Sequence, residues 1–136
     1  MANEIQLMIA GNPNTSKQAL YELLGDSLNW VDTRDILEVC ANSDVLDRYA
    51  KKFRWPHTIA QNPNTSGATL TYLLRCRGDS TLRKWISINP NTTKDALLIL
   101  MEDADHEIRA RARVRYNIID DYSLRRYLFS VHPRRA

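Results

Sequence analysis

The tetrapeptide Asn-Pro-Asn-Thr stands three times in this chain, at Asn12–Thr15, Asn62–Thr65 and Asn89–Thr92. The second and third copies are 27 residues apart and the first two are 50 apart, close to two units. Such recurrence restricts the fold to a stack of short units, each burying an apolar face on the next. The flanks repeat as well. Three residues before each leading Asn stand Ile9, Ile59 and Ile86, and seven before it stand Ile5, Trp55 and Leu82. A four-residue step places both positions on one helical face. Downstream, Leu20, Leu70 and Leu97 are followed by Leu23, Leu73 and Leu100, and then by Leu24, Leu74 and Met101, a second apolar stripe at helical spacing. Each unit reads as helix, corner, helix.

The corner follows from local chemistry. A residue before proline is pushed out of the α region, so Asn12, Asn62 and Asn89 are predicted to end the incoming helix. Thr15, Thr65 and Thr92 stand where an N-cap belongs, with the hydroxyl accepting a backbone N–H of the outgoing helix. Thr15-Ser16-Lys17-Gln18 reads as a capping box. The Asn side chains are expected to bond backbone groups of the neighbouring unit in a ladder. A ligand-binding role for them is the competing reading.

These motifs, with Asp79 before Leu82-Arg83 and Asp105 before Ile108-Arg109, resemble the leucine-rich repeat variant family of bacterial helical repeats. The likeness covers residues 1–27 and 53–117. It implies a superhelix of alternating helices without sheet. It carries over no catalytic residue, because that family shares none. Its repeats often have Pro after the Thr, where this chain has Ser16, Ser66 and Thr93. The fold class expected is all-α, a short right-handed α-solenoid of about five repeats.

Two regions depart from the pattern. Residues 28–53 contain no Asn-Pro and read as an irregular repeat of two helices. One begins at Asp32 or Thr33 and carries Ile36, Leu37, Val39 and Cys40. The other begins at Ser43 and carries Val45, Leu46, Tyr49 and Phe53. Pro56 opens the next short helix. Residues 117–136 read as an atypical C-terminal cap: Asn117 recurs, but Ile118 replaces the Pro and Asp120 the Thr, and Leu124, Tyr127 and Leu128 follow as an apolar face. The whole of 1–136 reads as one domain of ordinary size. No run of 18 apolar residues occurs, so no membrane partner is expected, and the first residues do not resemble an export signal. Cys40 and Cys76 lie within helical patterns and are expected as buried, reduced thiols, which places the chain in the cytoplasm.

Charge carries the functional content. The net charge is +3, unevenly spread: residues 1–68 hold 6 Lys/Arg against 8 Asp/Glu, and residues 69–136 hold 13 against 8. The candidate site for an anionic partner is Arg83, Lys84, Arg109, Arg111, Arg113, Arg115, Arg125 and Arg126. Helical rotation splits the central four into Arg109 with Arg113 and Arg111 with Arg115, and neighbouring carboxylates such as Asp103 compete for them. Tyr116, Tyr122 and Tyr127 lie among these arginines as stacking surfaces for bases. Glycine-rich phosphate loops, paired metal ligands and nucleophile motifs are lacking, and His57, His106 and His132 fall in separate units. Trp55 is assigned to the core and Trp85 to the core edge or a groove. The chain is therefore expected to be a non-enzymatic binding or scaffold module without cofactor or metal. Its expected partner is another protein, of acidic character at the basic end. Nucleic-acid binding through the arginine-rich half is the alternative.

Overall fold

The computed structural model describes residues 2–25, 29–76 and 79–131, with side chains as far as residue 119 and again at Arg126. Every regular element among them is an α-helix. In chain order these are α1 (Glu4–Gly11), α2 (Lys17–Gly25), α3 (Trp30–Val39), α4 (Ser43–Lys51), α5 (Pro56–Gln61), α6 (Gly67–Arg75), α7 (Ser80–Ile88), α8 (Lys94–Leu100) and α9 (His106–Val131). Odd-numbered helices pack in succession as one row, and α2, α4, α6 and α8 pack in succession as a second. The α8 helix also lies along α9.

The core runs between the two rows. Leu20, Leu70 and Leu97, at one repeat position, are all buried, as are Leu73, Leu100, Ile59, Leu82 and Ile86. Burying each such side chain contributes roughly 1.5–3 kcal/mol. The stripe fails at the N-terminal end, where Ile5 is 69% and Ile9 39% exposed. No earlier unit exists among the described residues to cover α1.

The three leading asparagines end their helices as C-caps in extended backbone. The threonines do not cap the helices that follow. Their hydroxyls donate backwards, Thr15 to the Ile9 carbonyl at 2.7 Å, Thr65 to Ile59 at 2.6 Å and Thr92 to Ile86. The last carbonyls of a helix lack donors, and the proline of the corner has no N–H to give. Capping falls to the next residue. Ser16 accepts from the Ala19 amide, Ser66 from Thr69 and Thr93 from Ala96. Two adjacent hydroxyls thus serve opposite helix ends, and the box read on Thr15 does not form. The corners also approach one another closely. A Cβ on Gly67 would stand 2.6 Å from Thr93 Cγ2 and 2.7 Å from the Asn91 carbonyl oxygen.

Elsewhere one helix start shifts: α3 begins at Trp30, whereas α4 begins at Ser43 and α5 at Pro56 as expected. Asn29 caps α3, rather than Asp32 or Thr33, and Asn42 caps α4. Val39 is exposed and Cys40 is buried beyond the end of α3. Phe53 lies beyond α4 and is exposed. The final unit is not broken at Asn117, because α9 runs through it. The register from α7 to α9 is 26 residues: Asp79 and Asp105 both receive amides of the first turn, and Leu82 with Ile108 and Ile86 with Ala112 are buried. That register puts Arg115 opposite Asn89. The side chains of Leu124, Tyr127 and Leu128 lie outside the described residues.

Candidate functional site

Each leading Asn uses its amide oxygen, and Asn62 and Asn89 use the amide nitrogen as well. Its Oδ1 accepts the N–H two residues on, at 2.9 Å for Asn12, 2.8 Å for Asn62 and 2.9 Å for Asn89. From Asn62, Nδ2 donates to the Leu37 and Cys40 carbonyls at the end of α3. Asn89 repeats this toward Ala60 and Asn62 at the end of α5. The second corner asparagines add rungs, Asn64 to Cys40 and Asn91 to Pro63 and Thr65. Asn62 and Asn89 are buried. The expected ladder is present at Asn62 and Asn89, where it occupies the polar atoms that the ligand-binding reading requires. Asn12 is exposed at the start of the row.

The arginines divide by partner. Arg115 donates to the Ser87 and Asn89 carbonyls at 2.8 and 2.7 Å, the place a corner Asn would take in the next unit. Burial holds its pKa below the usual arginine value. Arg83 binds the buried Asp103 carboxylate at 2.7 Å, and Arg109 donates to the Asp103 carbonyl at 2.9 Å. Arg111 is half-buried, and its Nη1 has no hydrogen-bond partner among the described residues. Arg113 and Arg126 are exposed, as is Lys84, whose amine lies 5.6 Å from the centre of the Trp85 ring. Tyr116 sits half-buried beneath Lys94, with 5.2 Å between amine and ring centre. The side chains of Arg125, Tyr122 and Tyr127, and the whole of His132, fall outside the described residues. Among the described residues, the arginines of this half therefore do not form one open basic surface.

His57 bonds both oxygens of Asp79 at 3.0 and 3.1 Å, bracing α5 against the cap of α7 instead of standing alone in solvent. Trp55 precedes α5 in left-handed backbone, φ 54°, half-buried, and stacks on the exposed Trp30 at 5.4 Å with the planes 5° apart. Cys40 is buried, with its thiol pKa raised by that burial, whereas Cys76 is partly exposed; both are free thiols. Among the described residues no cluster of His, Cys, Asp or Glu has a metal-binding arrangement, and no helix is long and apolar enough to cross a membrane.

Two surface features remain. On the odd-numbered row, Ala60, Gln61, Trp85, Ile88, Asn89 and Pro90 line a shallow apolar depression. Gln61 also borders a polar depression with Arg34, Glu38 and Thr58. Gln61, Ile88 and Val114 take matching places on α5, α7 and α9, and all three are exposed. On the other row, Gln18, Tyr21, Gly25, Arg48, Tyr49 and Lys52 line a polar hollow. The charge sum of the first half conceals this second cluster, although Lys51-Lys52-Phe53-Arg54-Trp55 is the densest mixture of cations and aromatics there. No family model, curated protein or solved structure matches this chain.

Proposed function

We propose that this chain is a non-enzymatic binding module, a short right-handed α-solenoid of about five units related to the leucine-rich repeat variant proteins. In this reading it holds another protein on the face formed by successive odd-numbered helices. One observation carries the proposal: Ile88 and Val114 occupy matching places on adjacent helices, 42% and 60% exposed, with Trp85 and Pro90 beside them. Stacked repeats turn one such position into a continuous strip, and exposed apolar strips flanked by polar residues mark protein contacts. Nucleic acid on the arginine-rich half has weaker support, since Arg83, Arg109 and Arg115 donate to the chain's own oxygens.

An affinity pull-down from host lysate, run with and without nuclease, tests the proposal. Protein partners should survive nuclease and be lost from an Ile88→Asp, Val114→Asp variant that still melts as wild type. Loss of every partner on nuclease treatment, or full retention by the variant, would overturn it.

A further inference from the structure

Among the described residues, the cations best placed to meet an anion are not in the arginine-rich half. Arg48, Lys51, Lys52 and Arg54 are all exposed, within seven residues, and none is in an ion pair among the described residues. Three of them rest on aromatic rings: Arg48 over Tyr21 at 4.6 Å, Lys51 over Tyr72 at 3.8 Å and Lys52 over Tyr49 at 5.8 Å. A ring orders a cation without neutralising it, as a carboxylate would. Arg48 and Lys52 share one hollow with Gln18. Part of this charge offsets the C-terminal dipole of α4. That effect needs no exposed ring beside it.

Phe53 supplies one. The Phe53 amide donates to Ala50 and the Arg54 amide to Tyr49, the paired bonds of a Schellman helix end. Phe53 thus fills the left-handed position that glycine usually takes, at φ 51°, with 44% of its surface in solvent. A bulky residue there costs about 1–2 kcal/mol of backbone energy. Strain of this kind, carried by an exposed side chain, points to function.

We propose that this end of α4 binds single-stranded nucleic acid, independently of the protein-binding face above. Phosphates enter the Arg48 and Lys52 hollow, Lys51 and Arg54 add charge beside it, and a base stacks on Phe53. Single-strand sites pair a basic track with a stacking ring in this way. An acidic peptide has no use for the ring, and the bases of a duplex have no free face to offer it.

Fluorescence anisotropy with a labelled oligothymidylate, titrated with salt, tests this. The wild-type chain should bind, and log affinity should fall linearly with log salt. Arg48→Gln with Lys52→Gln should make that slope shallower by about 1.4, or 0.7 for each lost phosphate contact. Phe53→Gly should weaken binding roughly 5- to 150-fold with the slope unchanged, the range expected for one stacked base. Its melting temperature should not fall, because glycine suits the backbone; if it does, Phe53→Asn, which also tolerates left-handed backbone, takes its place. Arg113→Gln should bind as wild type. No binding at low salt would overturn the proposal, as would an equal loss in Arg113→Gln. Phe53→Gly matching wild type, with polyaspartate displacing the oligonucleotide, would overturn it in favour of an acidic protein segment.

Discussion

At the scale of single residues, the corner works because its buried polar atoms find hydrogen-bond partners within the chain. The Asn89 amide receives the Asn91 N–H and reaches two carbonyls of the preceding corner, all in buried surroundings. Thr92 supplies a single donor to the Ile86 carbonyl, which also receives the Asn89 backbone N–H at 3.3 Å. Removing Asn89 therefore strips several buried groups, whereas removing Thr92 leaves its acceptor partly satisfied. Asn89→Ala should cost about 2–3 kcal/mol and Thr92→Ala about 1 kcal/mol in urea melts. The reverse order would show that the ladder is not what holds the corner. The sequence made the Asn role legible, since a residue before proline leaves the helix and a buried amide needs partners. It misplaced the Thr role by one residue. Thr and Ser are both good caps, and spacing alone does not say which of two adjacent hydroxyls faces forward. Ser16, Ser66 and Thr93, the residues that follow each corner Thr, hold the answer.

At the scale of elements, the helices are joined by caps that carry charge. The Asp79 carboxyl is held below its ordinary value of 3.8, first by the Leu82 amide and then by His57. Asp105 is held down likewise, first by the Glu107 amide. A carboxyl that is harder to protonate in the folded chain contributes its full stability above the unfolded value. It loses that stability as pH falls through the lower folded value. Stability should therefore begin to drop below about pH 4. Asp79→Asn keeps a good cap without a titrating group, so it should lose less between pH 5 and pH 3 than wild type. Urea midpoints at the two pH values measure this, and equal losses would exclude Asp79 as a source of the acid sensitivity. Helix existence and order were readable from the apolar stripes. The run of α9 through Asn117 was not, because Ile118 in place of proline removes the break and leaves Asn117 an ordinary exposed helical residue. The 26-residue register shows Arg115 as the stand-in for the corner Asn, which accounts physically for one arginine that charge counting offered to a ligand.

At the scale of the whole molecule, summing charge by halves hid the most available cations among the described residues. The first half is net acidic, yet Arg48, Lys51, Lys52 and Arg54 are exposed there, whereas the basic half turns several arginines onto its own carbonyls and Asp103. Total charge is a property of composition; availability is a property of packing, which a one-dimensional reading does not contain. The same distinction governs stability along the row. Ile9 and Ile86 hold the same repeat position three residues before a corner Asn, so local sequence gives them equal value. Their surroundings differ, since α7 packs between α5 and α9 whereas α1 meets only α3 in its row. Ile9 is 39% exposed and Ile86 fully buried. Ile86→Ala opens a cavity between helices and should cost about 2–5 kcal/mol. Ile9→Ala removes a side chain already in contact with water and should cost less than about 1 kcal/mol. Denaturant melts of the two variants compare an interior unit with an end unit at constant chemistry. Equal costs would mean that another part of the chain covers α1, and that the row does not begin there.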